Sequence, residues 1–469
     1  MIRCLAAPLL AVLGACAPME GPSPHAPAPE QPPREAPDLV LLLISDLRAD
    51  LEGAALAEAA LLAPFEDDIT LRATAAYAQS VSTFTSAGSA LTGRYPSAIP
   101  LCGLGAPAAA TQELDAWCHH LPEGIPTLPG VLGLYGYRSA LHHPDIPAMA
   151  HLAAGFDTTA VLPTEQDRRD ASRSTAWDRL AGDLERWWQQ EAVHPRLLVL
   201  LLDDLEICGR GADMVRMGIE RPSEQLCGGF DPARVEQHYR TSASNLGESL
   251  RALLQALPPA AGRERWVALA GTRGVSLGEC SGTANHPRFF CWSDVLLERT
   301  AHVPLVFMGP PGRARREIHT PTELVDLLPS LLGRAGAVPP AGLPGEDLLA
   351  PGWTAGGDPY AYAEFGDMLM VRWDRHLVTF RAPRHNGSSI DPWLTSALER
   401  ANPEVHFSLY DVVDDPFQTH NLGETRPRIR QEGLQRLRAL RAGPGALPPG
   451  LTEREVSQRI RLTPAQGYW

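Results

Sequence analysis

The chain contains no lysine; its 41 basic side chains are all arginine, which GC-rich coding explains without any special guanidinium chemistry. Positive charge is not in excess. The formal net charge is −14 at pH 7, and this excludes nucleic acid as the partner class, because phosphate binding needs a clustered basic surface. The apolar run Leu5 to Leu13 near the start is too short to span a bilayer. No internal repeat is present. What remains is an ordinary globular composition, 44% hydrophobic and 20% charged over 469 residues. A chain of that length can bury one large core and a smaller one.

The N-terminus reads as an export signal. Met1-Ile2-Arg3 is a short basic start, the apolar run follows, and Leu13-Gly14-Ala15-Cys16 resembles the lipobox of bacterial lipoproteins. That resemblance implies cleavage before Cys16 and acylation of its thiol and new amino group. Each buried acyl CH₂ contributes about 0.8 kcal/mol, so several chains hold a protein firmly to a membrane. Residues 17–37 are dense in proline and read as an extended tether. Ala17 is not an acidic retention signal, which favours the outer membrane as the location.

Eight cysteines are present. Cys4 leaves with the signal and Cys16 takes lipid. The others fall into close pairs: Cys102/Cys118, Cys208/Cys227 and Cys280/Cys291. Export favours bridging, and local spacing makes neighbour pairing the simplest connectivity. Each such loop would contribute about 3 kcal/mol by constraining the unfolded chain.

From Asp38 onward, strand and helix signals alternate. Asp38 to Ser45 is a continuous apolar run ending in a polar turn, the pattern of a parallel strand covered on both faces. Leu197 to Leu202, Arg265 to Ala270 and Val303 to Met308 read the same way. Helices are predicted at Ala171 to Gln190, Pro232 to Leu257 and Pro321 to Gly336. The alternation predicts an α/β fold with a large, mostly parallel sheet flanked by helices, over 38–336. After a Pro/Gly-rich connection the signals become short separate strands: Tyr360 to Phe365, Leu369 to Trp373, His376 to Phe380 and Phe407 to Val412. A helix over Glu424 to Ala442 follows. Residues 337–469 are therefore predicted to form a smaller C-terminal α+β antiparallel-sheet domain.

A series of ordered landmarks resembles the sulfatase family of the alkaline-phosphatase superfamily. Leu41 to Asp50, LLLISDLRAD, looks like the family's opening strand and turn. Ala76 to Pro96, AYAQSVSTFTSAGSALTGRYP, looks like its nucleophile segment. Gly155-Phe156-Asp157, Val303-Pro304-Leu305 and the closing LYDVVDDPFQTHNL of Leu409 to Leu422 follow in order. In that family a metal ion polarises a sulfate or phosphate ester and activates a hydroxyl nucleophile.

Several chemical positions depart from the pattern. Alignment on Leu91-Thr92-Gly93 puts the nominal nucleophile at Thr83. The C-x-P-x-R signal for formylglycine is absent, since Thr85 and Ala87 hold the Pro and Arg places. Thr83 is thus either a phosphotransferase-like nucleophile or one more hydroxyl capping the helix from Ser86 to Leu91. Asp46 matches the first metal ligand. The family's T-S-D-H-G-E-S-L-G-E-H-G becomes Thr272 and Arg273 in place of Asp and His, with Gly274, Ser276, Leu277, Gly278 and Glu279 in register. Cys280 replaces a later His. Leu200, Asp203, Asp204 and Leu205 stand where the family has H-x-x-D-P-H, and Cys291-Trp292-Ser293 where it has G-H-G.

One carboxylate and one hydroxyl do not replace the hydration shell of a hard divalent ion. The expectation is therefore a largely lost metal site with no cofactor. Arg273 pairs with Asp46 and, with Thr272 and Arg48 close by, either holds a small anion or simply closes the site. The implied function is a membrane-anchored, sulfatase-like protein with little or no catalysis, binding a sulfated or phosphorylated ligand or assembling an envelope complex. The alternative is an active sulfuric or phosphoric ester hydrolase, or a phosphotransferase, using Thr83 and a site rebuilt from Glu279, His286 or Asp294 around Ca, Zn or Mg.

Overall fold

Strand β1 (Asp38–Ile44) is buried along its entire length. Leu39, Leu41 and Leu43 enter one apolar cluster, and Val40, Leu42 and Ile44 another on the opposite face. A strand alternates its side chains between faces, so a continuous apolar run is what a doubly covered strand requires. The computed structural model describes residues 36–49, 57–99, 124–144, 152–162, 173–205, 232–275, 277–280, 288–289, 296–365, 368–381 and 407–442.

After β1 come α1 (Ala57–Leu62), β2 (Ile69–Tyr77), α2 (Thr83–Thr92), α3 (Leu128–Leu134), β3 (Arg138–His143) and β4 (Thr158–Val161). Next are α4 (Arg173–Gln190), β5 (Arg196–Leu202), α5 (Pro232–Ala256), β6 (Arg265–Gly271) and a small hairpin of β7 (Leu277–Cys280) and β8 (Arg288–Phe289). The chain continues with α6 (Glu298–Ala301), β9 (His302–Met308), β10 (Arg316–Ile318), β11 (Thr322–Glu323) and α7 (Leu327–Ala335). The large sheet runs β10-β2-β9-β6-β1-β5-β3-β4, with β11 also on β2. Helices α2, α3 and α7 supply Phe84, Leu91, Leu128, Leu132 and Leu331 to one face. Helices α1, α4 and α5 supply Leu61, Leu184, Trp188, Tyr239 and Leu250 to the other.

The second sheet runs β12 (Tyr360–Phe365), β13 (Met368–Trp373), β14 (His376–Arg381) and β15 (Phe407–Asp411), all antiparallel. Helix α8 (Pro427–Ala442) packs Leu434 and Leu437 on one face. The other face meets Tyr77, Val81 and Ala301 of the large unit. The closing motif read as a family landmark is a turn that holds this sheet: Asp411 accepts from Arg375 Nε (2.7 Å), and Asn421 Oδ1 accepts from Leu409 N (3.1 Å).

Four expectations change. Strand β9 is antiparallel to both β6 and β2, not part of a parallel run; it follows only the short helix α6, not a long crossover. Strand β2 is an addition to the sequence reading, although its half-buried ITLRATAAY alternates Thr70, Arg72 and Thr74 with apolar residues, the pattern of a strand covered on one face. The helix predicted from Pro321 begins later, because Thr322 and Glu323 pair with β2 and Asp326 accepts from Glu323 N at 2.8 Å. Helix α8 begins at Pro427, a residue suited to the first helical position. The segments read as export signal and tether lie in residues outside those described, apart from Ala36 and Pro37.

Candidate functional site

Strands β1 and β6 are parallel neighbours with Ile44 opposite Gly271. Their C-terminal turns therefore emerge together, and Thr272 N donates to Ile44 O at 2.9 Å. This edge is where open α/β sheets place ligand sites. Close approach makes the turn possible. A Cβ on Gly271 would lie 2.2 Å from Leu47 O, and one on Gly274 would lie 2.2 Å from Arg299 O.

Asp46 follows β1 in a left-handed conformation, φ 58°, which aspartate tolerates better than most residues. The turn is pinned by Tyr239, whose hydroxyl donates to Asp46 O at 2.6 Å and accepts from Arg48 N at 3.2 Å. Asp46 is 1% exposed and Arg273 8%. Their side chains meet, as the spacing predicts: Nε lies 2.7 Å from Oδ1, and Nη2 donates to Oδ2 at 3.2 Å. The Nε–Oδ1 contact is an ion contact in which the N–H is not directed at the oxygen. Arg273 Nη1 also reaches Val81 O at 3.5 Å. Burial pushes the Asp46 carboxyl upward, the Arg273 guanidinium opposes this, Asp203 adds to the rise, and the net direction is upward.

Thr83 is the first residue of α2, not its cap. Ser82 caps the helix by accepting from Thr85 N at 3.4 Å, so the capping role read for Thr83 belongs to its neighbour. Thr83 is half-buried among fully buried groups. Its Oγ1 lies 2.7 Å from Ser45 Oγ and accepts from Thr272 Oγ1 at 3.3 Å. The structure thus joins Asp46, Thr83, Thr272 and Arg273 in one place. Arg48 is buried beside them, with Nη1 donating to Val275 O at 3.2 Å.

Ser45 and Tyr239 were not recognised as members of this site. Ser45 stands directly before Asp46 and could have been found from the turn; Tyr239 belongs to a distant helix and carried no local signal. On β3, burial drives His142 down to about 4. The side chains of Cys280 and Glu279, and the whole of Cys16, Cys102, Cys118, Cys208, Cys227, His286, Cys291 and Asp294, lie outside the described residues.

Comparison with known proteins bears on this arrangement. No family model matches the chain. Over 176 residues it is 25% identical to arylsulfatase K of Canis lupus familiaris, covering 33% of this chain and 28% of that protein. Over 175 residues it is 25% identical to the uncharacterized sulfatase YidJ of Escherichia coli (strain K12), covering 36% of this chain and 30% of the relative. The matched stretches thus span less than a third of those curated relatives. Among solved structures, a 2-O GAG sulfatase superposes with a TM-score of 0.60 at 16% identity, over 87% of this chain and 92% of that one. The phosphonate monoester hydrolase of Agrobacterium radiobacter superposes with a TM-score of 0.61 at 16% identity, over 87% and 95%.

The fold is that of the sulfatases and of a phosphonate monoester hydrolase.

A sulfatase-like fold raises the expectation of a divalent ion beside Asp46. The donor set does not fit one. Among the described residues no group of three or more His, Cys, Asp and Glu side chains could hold a metal. Among the described residues the neighbours of Asp46 include the hydroxyls of Ser45, Thr83 and Thr272 and the carboxylate of Asp203, and a guanidinium 2.7 Å from the Asp46 carboxylate would repel a dication.

Proposed function

We propose that this sulfatase-like protein binds a small anion or a sulfated or phosphorylated ligand and turns it over weakly or not at all. The observation that carries this reading is the Arg273 guanidinium lying against Asp46, where the sulfatase resemblance implies a metal ligand pair. A fixed cation at that point attracts anions, while among the described residues the groups hydrogen-bonded to the Thr83 hydroxyl are two further hydroxyls, of Ser45 and Thr272. Without a base or a metal a threonine hydroxyl is a poor nucleophile.

The N-terminal lipobox resemblance and the Pro-rich stretch support a lipid-anchored protein at the cell envelope, in the outer membrane, serving ligand capture or the assembly of an envelope complex. Oxidised pairs Cys102–Cys118, Cys208–Cys227 and Cys280–Cys291 belong to the same reading.

The test is titration of sulfate and phosphate into the purified protein and into Arg273→Ala, beside assays of aryl sulfate and phosphate ester hydrolysis with and without Ca²⁺, Zn²⁺ and Mg²⁺. The reading expects anion binding that Arg273→Ala abolishes and hydrolysis at background. Metal-dependent hydrolysis lost in Thr83→Ala would replace it with the active hydrolase or phosphotransferase.

A further inference from the structure

Helix α6 is a single turn, and one turn of helix does not hold itself together in water. Its residues Glu298, Arg299, Thr300 and Ala301 are nonetheless all buried. Thr300 Oγ1 accepts from Leu297 N at 3.0 Å and closes the turn on itself. Further ties come from distant parts of the chain. Tyr77 Oη, at the end of β2, donates to Glu298 Oε1 at 2.7 Å. The turn after β15 supplies two more. Gln418 Oε1 accepts from Glu298 N at 2.8 Å, and Phe417 O accepts from Arg299 Nη1 at 2.9 Å.

Three consecutive carbonyl oxygens at the end of α6 each accept from a different segment of the candidate site. Thr300 O accepts at 2.9 Å from the N–H of Gly274, next to Arg273. Ala301 O accepts at 2.8 Å from the N–H of Ala78, in the segment leading to Thr83. His302 O accepts at 3.1 Å from the N–H of Ala49, just past Asp46 and Arg48. The last carbonyls of a helix need partners from outside it. Here those partners are the segments that carry the guanidinium, the hydroxyl and the carboxylate. The fit is close, since a Cβ on Gly274 would stand 2.2 Å from Arg299 O. A shift of α6 is therefore passed to all three segments through close-packed backbone.

Gln418 is the strained member of this series of contacts. It is 8% exposed and holds φ 56°, a left-handed conformation that is costly for a side chain other than glycine. Its N–H donates to Asp415 O at 3.0 Å, and its amide oxygen meets Glu298 N. We propose that Gln418 is a positioning residue for the anion site. Through α6 it sets Arg273, Asp46 and Thr83 relative to one another, so that anion binding depends on the C-terminal sheet. That an anion is the ligand rests on the function proposed above; that the three segments are held through Gln418 does not.

Sulfate titration and hydrogen exchange on the full chain test this, in wild type and in Gln418→Gly. Glycine removes the amide oxygen and also relieves the left-handed backbone, so a loss is not due to strain. Sulfate affinity should fall about tenfold, the scale of one lost buried hydrogen bond. Exchange in residues 46–49, 78–83 and 271–275 should quicken about as much, while that of α4 stays level. Leu437→Ala is the control: Leu437 packs in the cluster on the other face of the small sheet from Ala301. It should lower the urea midpoint and leave sulfate affinity unchanged. A wild type that binds no sulfate sinks the anion reading alone, and exchange then decides the positioning. Wild-type affinity or unchanged exchange in Gln418→Gly overturns the proposal. So does a loss of affinity in Leu437→Ala as large as in Gln418→Gly. Should Gln418→Gly fail to fold, Gln418→Asn decides. Asparagine tolerates the same backbone but carries its amide one carbon shorter, so the same losses are expected, and wild-type behaviour overturns the proposal.

Discussion

Strand β1 begins and ends in a buried aspartate–arginine pair, and the two pairs differ in almost every respect. At its N-terminal end Asp38, fully buried, accepts from Arg196 N at 3.1 Å and Arg196 Nε at 3.0 Å on one oxygen. Its other oxygen accepts from Arg196 Nη2 and from Ala260 N. The guanidinium stacks 3.9 Å from the Trp188 ring centroid and donates to Trp188 O. Asp46, at the other end, sits in a left-handed turn and meets Arg273 through one directed hydrogen bond and one undirected ion contact. It lies beside a half-buried hydroxyl. The first pair is saturated by its own fold, which suits a structural tie. The second has fewer directed hydrogen bonds between its partners and lies at the sheet edge where open α/β folds place ligand sites, and a left-handed non-glycine backbone such as that of Asp46 collects at functional positions.

The comparison can be broken by substitution. Arg196→Ala leaves Asp38 buried and uncompensated; urea denaturation should show a loss of about 3–5 kcal/mol. Arg273→Ala should cost less, about 1–3 kcal/mol, because Asp46 shares fewer directed hydrogen bonds with its arginine than Asp38 does and its carboxyl already lies above the ordinary aspartate range. Equal losses at the two ends would make Arg273 a structural residue like Arg196. A third experiment sharpens the contrast by restoring what the sulfatase resemblance leads one to expect. Thr272→Asp with Arg273→His replaces the cation by a carboxylate and an imidazole. Calorimetric titration with Ca²⁺ or Mn²⁺ should show affinity at least tenfold above wild type, equivalent to about 1.4 kcal/mol; unchanged affinity would mean that Arg273 is not what keeps a dication out. The smallest effect is expected for Thr83→Val, at most about 1 kcal/mol, since Ser45 and Thr272 remain to satisfy one another or water.

The legible parts of the fold were those where composition alone identifies the environment. Strands β1, β5 and β6 announce themselves because both faces are covered, and the short β12 to β15 because turns bracket them. The direction of β9 was hidden, since an apolar run reads identically whether its neighbour is parallel or antiparallel. β4 and β10 are edge strands of three or four residues with partly exposed faces, too short to leave a period. At the candidate site, Asp46, Thr83, Thr272 and Arg273 could be placed together by their order along the family's landmarks, and the Asp46–Arg273 contact follows from that. Tyr239 could not, because its hydrogen bond to Asp46 O spans 193 residues of chain. Gln418 could not either: in sequence it is one polar residue of the closing landmark, and only the arrival of α6 against its side chain gives it a task.

Ala36 and Pro37 enter at the foot of the sheet, where Tyr137 Oη donates to Pro37 O, while the hydroxyls around Thr83 crown its opposite end. Strand β1, six steps from Asp38 to Ile44, makes that separation about 20 Å, at about 3.3 Å per residue. The chain thus enters the sheet at one end and presents the Thr83 hydroxyl at the other, with the buried core between them.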